Sequence, residues 1–276
     1  MSVIINTNIG ATLTRNNLIE NQKQMDRTFE RISSGRKTIY AADDAAGVAI
    51  AGKMEAQIRA LSQAVRHAKD GQSMTSASES AMQEVNSILQ KMRELALQSA
   101  SGIASDTDKD FLNLEMSNLV SEIESMSSNT KFNGRQLLRG DQFTFYTDVD
   151  VAGMNITTVQ ADLAVSTLGV PAATVDIGKT VSQSDLDDVV SAIDTAISTV
   201  NTKRAHLGAV SNRFDHIMEN LQNVISHTVR SKGVMIEADL SIETTKLTKS
   251  SVLQQGATSM LAQANAQKNL VLSLFQ

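Results

Sequence analysis

Residues 44–99 read DAAGVAIAGKMEAQIRALSQAVRHAKDGQSMTSASESAMQEVNSILQKMRELALQS. Met54, Leu61, Ala68, Thr75, Met82, Leu89 and Ala96 recur every seventh residue. Ile58 and Val65 fill the intermediate positions early, and Val85 and Met92 fill them later with a shift of one. That is a heptad seam with one small phase slip. It predicts one continuous helix of about 84 Å at ~1.5 Å per residue, with Asp43 and Asp44 supplying its cap and first-turn charge.

Similar patterns extend outward on both sides. Ser101-Gly102 breaks the rod, and Ser105 with Asp108 suggests a capped restart. Leu112, Met116, Leu119, Ile123 and Met126 then follow at helical spacing, to a stop expected at Asn133-Gly134. Leu186, Val190, Ile193, Ile197, Val200, Leu207, Phe214, Met218, Leu221 and Ile225 keep a 4-3 rhythm, interrupted at Arg204 and Ser211. These seams must face one another. The expected fold is mainly α: long antiparallel helices in a coiled-coil-like bundle, with a small β-hairpin region in the middle. There, Gln142–Thr147 and Asn155–Val159 are β-prone around Ala152-Gly153. The segment 141–180 as a whole has low and irregular apolar content and is expected to be dispensable for polymerisation.

The two ends carry weaker helical patterns. Residues 4–33 place Ala11, Leu18, Met25 and Ile32 seven apart, with Phe29 between and Arg15 and Gln22 intruding. Residues 235–275 carry Leu240, Leu247, Leu261 and Phe275, with Glu243, Gln254 and Lys268 intruding. Each helix alone would be marginal in water, so both are expected to order only in company.

Composition narrows the function. The chain has 276 residues, one Pro, no Cys, no Trp, 3% aromatics and a net charge of −5. Thiolate metal sites, disulfides and Cys nucleophiles are excluded. No basic block suits nucleic acid, and no stretch approaches a membrane span. Met1–Asn6 carries no signal-peptide pattern. The four histidines, His67, His206, His216 and His227, lack ligand spacing. No phosphate loop or nucleophile elbow occurs. Neither enzyme activity, cofactor nor metal is expected, and burial between protein chains is the remaining chemistry.

Several blocks carry a resemblance. Arg31-Ile32-Ser33-Ser34-Gly35-Arg36 precedes Ala42-Asp43-Asp44-Ala45-Ala46-Gly47. Lys131-Phe132-Asn133-Gly134, Leu207-Gly208-Ala209-Val210-Ser211-Asn212-Arg213-Phe214 and Leu261-Ala262-Gln263-Ala264-Asn265 follow. Over about 1–140 and 180–276 the chain resembles bacterial flagellin.

The resemblance implies a structural subunit that polymerises into the helical flagellar filament for motility. The alternative is a hook–filament junction (hook-associated) protein. It implies an inner D0 layer from 1–34 and 234–276 and a spoke at 35–43. An outer D1 layer would come from 44–134 and 183–233, with a short variable hairpin region at 135–182. Filament contacts are expected from Leu18, Met25, Phe29, Ile32, Leu240, Leu247, Leu261 and Phe275. A candidate innate-receptor surface falls on Lys91, Leu95 and Glu115, where Lys91 stands for the family's arginine. Implied partners are copies of itself or sibling flagellins, an export chaperone, the type III export apparatus, and hook-associated and cap proteins. The implied location is outside the cell.

Overall fold

The computed structural model describes residues 7–147, 155–159, 161–179 and 181–273. The chain divides into two compact units, Met1–Ala56 with His227–Gln276, and Gln57–Ser226. Among the described residues, six helices run in the order α1 (Ile9–Ser34), α2 (Ala45–Ser99), α3 (Asp106–Asn129), α4 (Val165–Leu168), α5 (Gln183–Ile236) and α6 (Leu240–Ser273). Two antiparallel hairpins, β1–β2 (Lys131–Phe132, Arg135–Gln136) and β3–β4 (Gln142–Tyr146, Asn155–Val159), lie between α3 and α4.

The helix ends follow from local chemistry. Asn8 Oδ1 accepts the Ala11 N–H at 3.1 Å at the start of α1, and Gly35 ends it at φ 66°, where a residue with a Cβ is strained. Asp44 Oδ1 accepts the Gly47 N–H at 2.8 Å and caps α2. Asp43 has a different task from the expected cap: its Oδ2 accepts the N–H groups of Ile39 at 3.3 Å and Tyr40 at 3.4 Å, closing the preceding turn. Ser105 and Asp108 form a reciprocal capping box on α3. Ser182 and Asp185 do the same for α5, at 3.1 and 3.3 Å.

Asn133-Gly134 does not stop α3, which already ends at Asn129. Asn133 at φ 50° and Gly134 at φ 80° form the two-residue turn of β1–β2, the left-handed pair that a tight hairpin requires. The β3–β4 pairing runs from Gln142 opposite Val159 to Tyr146 opposite Asn155, as expected. The connection expected at Ala152-Gly153 lies outside the described residues.

Within Gln57–Ser226, α2 and α5 run antiparallel. Gln72 Nε2 donates to Asp215 at 2.6 Å, and Arg93 Nε to Asp194 at 2.7 Å. The register therefore keeps step: 21 residues forward on α2 match 21 backward on α5. Met82, Val85, Leu89 and Met92 are fully buried against Ile193, Ala196 and Val200 of α5 and Met116 and Ile123 of α3. A second cluster gathers Leu61, Ala64, Ala68, Phe214 and Ile156 of β4.

The middle is not the loose surface loop its irregular sequence suggests. Leu137, Leu138, Leu163, Val165, Leu168, Val170, Val175 and Ile177 all belong to the main core. The chain there is irregular, so its backbone polar groups need side-chain partners. Ser99 Oγ donates to the Ile177 carbonyl at 2.8 Å, Asn113 Oδ1 accepts the Ile177 N–H at 3.1 Å, and Glu124 Oε2 accepts the Val165 N–H at 3.2 Å. Polar side chains of α2 and α3 thus hold a non-periodic segment in an apolar core.

Candidate assembly surface

In the unit Met1–Ala56 with His227–Gln276, α1 packs along α6. Both are full helices, and polar pairs tie the side they share. Asn21 Nδ2 donates to the Ser250 carbonyl at 2.8 Å, and Gln254 Nε2 donates to Gln22 Oε1 at 2.9 Å. Asn8 Nδ2 reaches the Ala264 carbonyl at 3.1 Å. Glu243, whose side chain is only 5% exposed, takes Lys246 Nζ at 2.7 Å and lies 4.0 Å from the Arg31 guanidinium. Its other oxygen and Asn21 Oδ1 are buried without a hydrogen-bond partner. Gln22, Glu243 and Gln254, read in the sequence as intruders in a seam, are the residues that join the two helices. Arg15 is exposed.

The apolar residues differ in exposure. Leu18, Met25, Ile32, Leu247 and Leu261 are half-buried, in the stripe of the polar pairs. Phe29 (65% exposed) and Leu240 (55%) are exposed, as are Ile9, Leu13, Ile19, Ile242, Val252, Leu253 and Met260. Phe275 lies outside the described residues. Polar and apolar groups thus share the side between the helices, and further large apolar groups are left exposed. Tracing one heptad line finds the half-buried residues and the exposed Phe29 and Leu240, and passes over Ile9, Leu13, Val252 and Leu253, which are plain in the sequence.

The connections to this pair are also tied. Lys37 N–H donates to the Ile236 carbonyl at 2.8 Å, and Ala238 N–H to the Gly35 carbonyl at 3.0 Å. Tyr40 Oη donates to Glu30 Oε1 at 2.6 Å. That hydrogen bond, with the carboxylate's charge, raises the Tyr40 pKa above its ordinary value.

The residues of the expected receptor surface separate. Lys91 is exposed and lies 3.7 Å from Glu94, and Glu115 is exposed. Leu95 is buried in the main core at 2% exposure, so it offers nothing to a partner in this fold. Among the described residues, no group of three His, Cys, Asp or Glu side chains is placed to hold a metal ion. Among them too, no helix is long and apolar enough to cross a membrane.

Residues 5–142 match the bacterial flagellin N-terminal helical region, and residues 190–275 match the C-terminal helical region. The chain belongs to the bacterial flagellin family. A flagellin of Halalkalibacterium halodurans is 36% identical over 99% of this chain and 100% of that protein. The flagellar filament 30.7 kDa core protein of Treponema maltophilum is 33% identical over 99% of each. A solved structure of a hook-associated protein from Vibrio parahaemolyticus aligns with a TM-score of 0.62 at 17% identity, covering 70% of this chain and 99% of that one. At that identity it speaks for the shared fold alone. As a flagellin, this chain is a structural filament subunit and not an enzyme. It self-associates, and its place is the extracellular flagellar filament.

Proposed function

We propose that α1 and α6 form the inner tube of that filament, and that residues 44–134 and 183–233 form the layer around it. In this reading residues 1–34 and 234–276 are D0, and 35–43 are the spoke. The single observation that supports it is the set of large apolar side chains that α1 and α6 leave exposed. Phe29, Leu240, Leu253 and Met260 gain nothing while they face water. Each large side chain covered by a neighbouring copy contributes roughly 1.5–3 kcal/mol. Export through the type III apparatus with a dedicated chaperone, and assembly beneath a cap on hook-associated proteins, complete the proposal. Its support is family membership.

The test places charge on these exposed side chains. Phe29→Asp combined with Leu253→Asp leaves the polar contacts between α1 and α6 in place. The expected chain keeps its helix content and core melting temperature but elongates no seed under the electron microscope. Normal filaments from this variant would overturn the assignment.

A further inference from the structure

We propose that Met260 is an oxidation site through which peroxide controls assembly, a proposal that deepens the inner-tube reading above and rests on it. Ten methionines lie among the described residues. Met74, Met82, Met92 and Met116 are buried in the core at 2% exposure or less. Met25, Met54, Met126, Met218 and Met235 are half-buried. Among the described methionines, Met260 alone is open to water, at 63%.

The local helix explains that exposure. A long helical side chain lies over the turn that precedes its own Cα. For Met260 that turn holds Gly256, where even an added Cβ would meet nothing within 4 Å. Position 256 therefore has no side chain to shield the sulfur. Ile242 and Leu253 lie on the same line of α6 and are exposed at 54% and 51%. The thioether thus belongs to an apolar stripe that the inner-tube reading covers with a neighbouring copy.

Hydrogen peroxide oxidises a thioether by oxygen transfer. A sulfur lone pair attacks one peroxide oxygen, the O–O bond breaks and an S–O bond forms. The other oxygen leaves as water with both protons. Sulfur loses two electrons and the peroxide gains them, so one methionine and one peroxide give one sulfoxide and one water. The chain has no cysteine, so no thiol of its own competes for the oxidant. The exposed Ile, Leu, Val and Phe side chains of α1 and α6 are inert to it. On the free chain the new S=O group is solvated, and folding is indifferent to it. Covered by a neighbouring copy, it is a polar acceptor in an apolar contact, which opposes burial. Assembly is therefore the step that weakens. A subunit already in the filament keeps its thioether out of reach, so peroxide stops growth and spares the existing polymer. A thiol-dependent sulfoxide reductase reverses the block.

The unassembled full-length chain is treated with dilute hydrogen peroxide and mapped by peptide mass spectrometry. Met260 is expected to oxidise on the order of tenfold faster than Met82 and Met92, because susceptibility follows exposure. Equal rates would overturn the site. Oxidation is expected to raise the critical concentration for seed elongation on the order of tenfold, with the melting temperature unchanged. Methionine sulfoxide reductase with dithiothreitol is expected to restore the starting value. In Met260→Leu, whatever its own critical concentration, the same peroxide treatment is expected to shift nothing. An oxidised wild-type chain that elongates seeds like the untreated one would overturn the control of assembly. So would a peroxide effect of equal size in Met260→Leu, or a lowered melting temperature. Intact filaments given the same peroxide separate this proposal from the reading beneath it. Met260 shielded in filaments, with elongation indifferent to oxidation, overturns the control and leaves the inner tube standing. Rapid oxidation of Met260 in intact filaments overturns the inner-tube packing of α6 and the control with it.

Discussion

Gly71 sits buried in the middle of α2, where glycine costs about 1 kcal/mol relative to alanine. The Phe214 ring explains it: a Cβ on Gly71 would lie 2.5 Å from Cζ of that ring. Phe214 is fully buried and meets Phe145 edge-on, with centroids 5.6 Å apart, so one missing methyl group lets β3 bind the helices. Gly71→Ala is expected to destabilise the core by about 1–3 kcal/mol. Gly208 in α5 has nothing within 4 Å of its Cβ position, and Gly208→Ala is expected to stabilise by about 0.5–1 kcal/mol. Thermal melting of both variants checks the pair, and equal shifts would contradict the ring-contact account. The caps set a pH dependence at the same scale. Asp108 and Asp185 each accept a side-chain hydrogen bond, from Ser105 and Ser182 respectively, and then a backbone one, which lower their pKa values below the ordinary 3.8. Asp43 is lowered by the backbone N–H groups of Tyr40 and Ile39. A depressed folded-state pKa stabilises above the unfolded value and loses that contribution as pH falls through the folded one. Melting temperature is therefore expected to drop below pH ~4. Asp108→Ala with Asp185→Ala should melt lower at neutral pH and lose less in acid. A parallel acid slope would contradict this.

Among the elements, the middle segment is where structure and expectation part. Deleting 148–176 removes Leu163, Val165, Leu168, Val170 and Val175 from the core. Loss of cooperative melting is the expected result, read by circular dichroism. A deletion that still melts cooperatively near the wild-type temperature would contradict the burial account. The long helices are legible because Met82, Leu89 and Met92 repeat along a regular element, and the α3 capping box because Ser105 and Asp108 stand three apart; the same spacing at Ser182 and Asp185 goes unread. The segment around Val170 and Ile177 was illegible because irregular backbone has no period. Its burial depends on Ser99, Asn113 and Glu124, distant residues that no local window connects to it. The role of Asn133-Gly134 was misplaced for a related reason: the same turn signal ends a helix or joins two strands, and only the pairing of Phe132 with Arg135 decides. For the terminal helices, Gln22 and Gln254 looked like flaws when each helix was read alone. They become partners only once α1 lies beside α6. A seam of this polarity holds the two helices loosely. Gln22→Leu with Gln254→Leu is expected to slow amide exchange in α1 and α6 of the unassembled chain, and unchanged or faster exchange would contradict that.

At the scale of the whole molecule, folding and assembly are assigned to different surfaces. The buried cores lie within Gln57–Ser226, whereas the largest uncovered apolar faces of the other unit belong to α1 and α6. A chain of residues 44–233 is accordingly expected to melt cooperatively and to form no filament. The most direct measurement is a cryo-electron-microscopic reconstruction of filaments grown from the full-length chain, at a resolution that shows side chains. The account predicts α1 and α6 innermost, with Phe29, Leu240, Leu253 and Met260 packed against neighbouring copies and the Gln22–Gln254 pair kept within each copy. A filament in which those four side chains face solvent, or in which α1 and α6 lie outside the layer formed by α2 and α5, would contradict it.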